Sequence, residues 1–160
     1  MTVSNNGVLF FDGALSTSAG VCPGVGTWQG VAAYWDDWAA DAVRYETVGR
    51  YPHRAFVVNW EGAHDVAGGA GQVQAWLLEG RDEAVVTLTD TTFGNASYDH
   101  GASATLGVQG TGNLAWYCNG SSGTGATVSD GLVGWFGPES SRTATAVRTV
   151  SSLTSTPHTG

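Results

Sequence analysis

Apolar and polar positions alternate most cleanly over residues 54–60, where Phe56, Val58 and Trp60 fall on one face and Ala55, Val57 and Asn59 on the other, as the two-residue period of a strand requires. The next run repeats the pattern, with Val73, Ala75 and Leu77 opposite Gln72, Gln74 and Trp76. The apolar content on both sides of 54–60 predicts a central strand covered on both faces. Similar short runs rich in Val, Thr, Phe, Tyr and Trp recur along the chain at about ten-residue spacing, separated by Gly, Asn or Asp. They predict strands near 7–11, 30–35, 43–48, 54–61, 72–79, 84–89, 103–108, 114–118, 132–136 and 142–150. Only Trp38 to Ala42 reads as a helical turn, and 24 glycines penalise anything longer. The Gly-rich segments 20–26, 67–71 and 119–125 read as loops. The fold class expected is all-β, an antiparallel β-sandwich with jelly-roll or Ig-like layering of about ten short strands.

A chain of 160 residues is one domain's worth and can bury a core. Charged residues make up only 12% of it and lysine is absent, so Ser, Thr, Gly and Asn must keep the surface wet, a balance that suits an extracellular or cell-surface β protein. The formal charge of −8, with six scattered arginines, disfavours nucleic acid and anionic membrane surfaces as partners and leaves cations, neutral sugars and proteins. No stretch approaches a membrane span. Met1-Thr2-Val3-Ser4 lacks the basic and apolar parts of a leader, so the chain is expected to be a processed or excised piece of something longer, or exported by another route. Cys22 and Cys118 are too far apart for a CxxC pair and read as a disulfide. Its loop of nearly a hundred residues would stabilise by about 4 to 5 kcal/mol in the chain-entropy model; two separate buried thiols are the alternative.

The densest candidate chemistry is the block Tyr34-Trp35-Asp36-Asp37-Trp38, a buried strand whose end turns into acidic backbone. Asp36, Asp37 and Asp41, with Glu46, are candidate ligands for calcium. The plainer reading is that these aspartates cap backbone N–H groups at a strand end, and it ranks first. Asp36 and Asp37 point to opposite faces if extended, so they make a poor glycosidase pair, and nothing singles out Glu61 and Asp65 instead. His53, His64, His100 and His158 form no metal motif and read as surface loop residues. No nucleophile elbow or dinucleotide fingerprint is present. Trp35 and Trp60 are expected in the core, one against the other, whereas Trp28, Trp38, Trp76 and Trp116 are candidate exposed rings for a sugar or a partner protein.

Several segments together resemble a bacterial extracellular domain. These are Asn6 to Phe11, the Trp35-Asp36-Asp37-Trp38 block, the Tyr45 to Pro52 turn, the Phe56 to Trp60 strand, and Gln72 to Glu79. That family carries a WDDL, then a Tyr and a Gly-x-x-Pro-x-Arg, then FVVEW, then FQVxLYE. Ala104 to Gln109 and Ser129-Asp130-Gly131-Leu132 match its later segments, and the whole is distantly similar to the nidogen-type extracellular domain. The resemblance implies a β-sandwich over residues 1–138 in which one or two N-terminal family strands are missing. Residues 139–160 then form a tail with a candidate edge or donor strand at 142–150. A bacterial source would also make the sequons at Asn95 and Asn119 plain loop residues. The function implied is a non-enzymatic structural or adhesive module that associates with proteins, including a self-assembling surface or filament subunit. A carbohydrate-binding module using Trp, with or without calcium, is the alternative, and a polysaccharide hydrolase ranks below it. Beyond calcium no cofactor is expected.

Overall fold

In the computed structural model, residues 1–13, 28–110, 113–118 and 128–137 are described. They form ten strands: β1 Thr2–Val3, β2 Val8–Phe10, β3 Gly30–Trp35, β4 Trp38–Val48, β5 Ala55–His64, β6 Ala70–Leu78, β7 Glu83–Asp90, β8 Thr105–Gln109, β9 Asn113–Cys118 and β10 Val133–Phe136. A 3-10 turn at Asp99–Gly101 is the one helical element among the described residues. Two five-stranded antiparallel sheets result, ordered β1-β2-β3-β8-β9 and β10-β7-β6-β5-β4. The expected sandwich is therefore the architecture observed, with β3 packed across β6 and β7.

The alternation read from the sequence sets the facing of the second sheet. Val58, Trp60, Val73, Ala75, Val86 and Leu88 enter one core cluster with Leu9, Val31, Tyr34 and Leu106 of the first sheet. Trp60 is fully buried, and its indole N–H donates to the Ser4 carbonyl at 2.6 Å, so one of the two largest core side chains also satisfies its polar atom.

Bulges decide what period two cannot. The amides of Ala33 and Tyr34 both donate to the Gly7 carbonyl, at 2.9 and 3.2 Å, within the register shift between Ala32 and Trp35. Ala33 and Tyr34 consequently both face the main core, and Trp35 swings to the far face of the first sheet, in a second cluster with Val8, Phe10, Trp28 and Ala32. Trp35 thus does not pack against Trp60 as expected; it meets Trp28 edge-on at a centroid distance of 5.3 Å. Gly7 permits this approach, because φ is +75° and a Cβ there would lie 2.1 Å from the Tyr34 carbonyl oxygen.

Residues 38–42 are strand, not a helical turn. Trp38 pairs with His64 and Ala39 with Ala63, after which a bulge carries the register to Ala42 opposite Glu61. Long-range pairing overrides the local preference there. Ala70 and Gly71, expected in a loop, likewise open β6. The strand expected at 142–150 and the loops at 20–26 and 119–125 lie outside the described residues.

Candidate functional site

Asp36 follows the last residue of β3, and its carboxylate turns inward rather than toward solvent. One oxygen accepts the Asp37 amide at 2.9 Å. The other accepts the Ser103 hydroxyl at 2.5 Å and lies 3.4 Å from His64 Nε2. His64 is only 1% exposed, so it is not the loop-surface residue expected. Its Nδ1 accepts the amides of Val66 and Ala67 at 3.2 and 3.3 Å, which places the ring proton on Nε2, facing Asp36. At 3.4 Å that contact is too long for a good hydrogen bond, and His64 Nε2 has no better acceptor. The His64 ring stacks on Tyr98, centroids 4.3 Å apart, and meets Phe93. Ser103, Asp36 and His64 do not make a nucleophilic triad. The hydroxyl donates to the carboxylate and not to the imidazole, so nothing activates it. The cluster instead ties the β3–β4 corner, the end of β5 and the approach to β8 into one buried polar knot.

The candidate calcium ligands separate accordingly: Asp36 is buried, Asp37 half-buried, and Asp41 exposed on β4 beyond its first residues. The described residues hold no group of three or more His, Cys, Asp or Glu side chains placed to bind a metal ion. Glu61 pairs with Arg44 at 2.8 Å. Asp65 sits in the β5–β6 turn, its amide donating to the Asp37 carbonyl at 2.9 Å.

Two further carboxylates have defined roles. Glu79 forms a two-pronged pair with Arg54, and also accepts the Arg54 amide at 3.2 Å. The guanidinium hydrogen bond holds its carboxyl down at about 2. Asp130 accepts the Thr91 amide and hydroxyl at 2.6 and 2.7 Å and the Thr92 hydroxyl at 3.0 Å. Burial pushes the Asp130 carboxyl up, but these bonds outweigh it and leave it below its ordinary value. Neither contact was legible as such; only the Gly49-to-Arg54 and Ser129-to-Leu132 motifs marked their neighbourhoods.

The tryptophans redistribute. Trp28 and Trp38 are buried, not exposed. Trp38 is drawn in by edge contacts with Tyr34 and Phe93 and by its indole N–H donating to the Tyr34 carbonyl at 3.0 Å. Trp76 is half-buried on the outer face of the second sheet, and the side chain of Trp116 lies outside the described residues. Trp135, which the sequence did not single out, is 47% exposed on β10. Trp76 and Trp135 are both paired with Val85, and so share one row of that outer face. The neighbouring row carries Asn59 opposite Gln74, and Gln72 reaches it from the row beyond, so the three amides form a ladder. Gln72 and Gln74 each donate to Asn59 Oδ1 at 3.1 Å, while Gln74 Oε1 accepts the Trp76 indole N–H at 3.1 Å. Beyond the ladder lies an open groove of about 600 Å³ lined by Glu61, Gln72, Thr89, Asp90, Thr92 and Asp130.

Cys118 closes β9, its Sγ 3.4 Å from the Thr105 hydroxyl, and no cysteine among the described residues is free. The pairing with Cys22 falls outside the described residues. Among the described residues no helix is long and apolar enough to cross a membrane.

Two antiparallel sheets packed around one core, with a buried carboxylate and imidazole serving the fold, define an antiparallel β-sandwich. A family model described as NIDO related matches residues 1–150, and the chain belongs to that family. That family is one of extracellular-type structural domains, usually protein-interaction modules. Searches of curated proteins and of solved structures returned no match.

Proposed function

We propose that this domain is a non-enzymatic structural or adhesive module that works by adding strands to an open sheet edge. The observation that carries the reading is β4, an eleven-residue strand at the end of the second sheet. The bulge at Ala39 to Ala42 blunts its first part, and Val43 to Val48 then runs in regular register against β5. Tyr45 stands 69% exposed on this stretch. An uncovered edge offers N–H and C=O groups to a partner's backbone, and neighbouring side chains then select the partner. The donor we favour is residues 142–150, whose Thr, Ala and Val content suits a half-exposed strand. Insertion into a second copy joins subunits head to tail and grows a filament; insertion in the same chain leaves a monomer. Sedimentation velocity and negative-stain microscopy of the full chain, and of a chain lacking 139–160, test the reading. Assemblies lost on deletion support the trans form, and a monomer destabilised by deletion supports the cis form. A full-length monomer at every concentration, equally stable without the tail, overturns both.

A further inference from the structure

We propose that the outer face of the second sheet is a binding platform for a neutral polysaccharide, with Trp76 and Trp135 as stacking rings and the Asn59–Gln72–Gln74 ladder as the hydroxyl-reading row. The proposal concerns a different surface from the β4 edge and does not depend on strand addition.

Trp76 and Trp135 lie on one row with Val85 between them. Two interstrand spacings put their backbones about 10 Å apart, roughly the span of two pyranose rings, so a sugar chain laid across the strands meets both. Val85 lies between them and Val57 beside Trp76, both buried, so the ring surfaces are what this row offers to the axial C–H face of a sugar.

The amide row supplies the polar half. Asn59 Oδ1 accepts from both glutamines, and Gln74 Oε1 accepts from Trp76 Nε1 at 3.1 Å and from the Thr87 hydroxyl at 3.5 Å. These bonds orient the amides before any ligand arrives, which lowers the ordering cost of binding. They leave the Asn59 NH₂, the Gln72 carbonyl oxygen and one N–H on each glutamine without a side-chain partner among the described residues. Alternating donors and acceptors suit hydroxyls, which do both.

Charge selects against an anionic ligand. Around the groove Glu61 is paired with Arg44, Asp90 accepts the Thr92 amide at 2.9 Å, and Asp130 is held by Thr91 and Thr92. Glu61 is neutralised by its guanidinium partner, whereas Asp90 and Asp130 keep their charge, which repels anionic glycans.

Affinity electrophoresis of the full chain in gels carrying soluble glucans, xylan or mannan tests the proposal, with polygalacturonate as the anionic control and polylysine titration as the cationic one. At least one neutral polymer should retard the protein, equally at low and high salt. Trp135→Ala, with an unchanged melt, should weaken that retardation roughly tenfold, the weight of one lost ring contact. Trp76→Phe keeps a ring but removes the donor to Gln74, and should weaken it less. Failure of every neutral polymer to retard the protein overturns the proposal. So does retardation unaffected by Trp135→Ala, or binding confined to polylysine and abolished by salt.

Discussion

Asp36→Ala removes a side chain that joins three distant parts of the chain. The variant strands the Ser103 hydroxyl, now 2.5 Å from its acceptor, and the His64 N–H, now 3.4 Å from the same oxygen, and it frees the Asp37 amide. His64 is almost wholly buried and Asp36 nearly so, so water does not readily replace the lost acceptor. A buried donor left unpaired costs about 1 to 3 kcal/mol. We expect Asp36→Ala to fall in that range, because the Ser103 hydroxyl loses its acceptor and the Asp37 amide, only partly buried, can turn to water. For a domain of this size that is a fall in Tm of about 2 to 12 °C. Urea unfolding followed by tryptophan fluorescence gives the free energy directly, with Asp37→Ala as the matched control, expected within about 0.5 kcal/mol of wild type. A double-mutant cycle with His64→Ala then reads the coupling, expected near 1 to 3 kcal/mol, as for contacting residues in one network. If Asp36→Ala unfolds within about 1 kcal/mol of wild type, or the cycle shows no coupling, the polar knot does not hold the corner together.

Trp60→Ala should cost about 3 to 5 kcal/mol in the same urea assay, through lost transfer and a core cavity, whereas Trp135→Ala should leave stability within about 0.5 kcal/mol; equal effects would invert the facing of the second sheet. Glu79 is held below its ordinary 4.5, at about 2, so its contribution is present above pH 4.5 and is lost as pH falls toward 2. Asp130, also lowered, acts in the same direction. Acid melts of Glu79→Gln should therefore show a shallower loss over that window than wild type, and parallel curves would remove the pair from the account. Intact-mass analysis without reductant should find the chain two hydrogen atoms lighter than the reduced form, through a Cys22–Cys118 disulfide; two alkylatable thiols in the native protein would exclude it. With Asp36 committed to Ser103 and His64, melts in chelator and in millimolar calcium should coincide, and a calcium-dependent rise in Tm would restore the 36–41 carboxylates as ligands.

The amino-acid sequence by itself determined the all-β class, the faces of β5 and β6, and the burial of Trp60. These follow from a period of two, which any short window contains and which the hydrophobic effect converts into facing. The direction of Trp35, the strand character of 38–42 and the burial of Trp28, Trp38 and His64 were settled only by the tertiary structure. The physical reason is the bulge: one extra residue reverses every later side chain, and its position depends on a partner elsewhere, here the Gly7 carbonyl for β3 and β5 for β4. The candidate sites divide in the same way. Asp36 stood out as an acid among aromatics, but its role needed Ser103, 67 residues away. Trp76 was visible as a possible platform, yet Trp135 joins it only because β10 pairs with β7 and sets both rings beside Val85. Local pattern carries the solvent preference of each residue; only chain closure says which distant residue supplies the partner that makes a buried charge, or an exposed ring, tolerable.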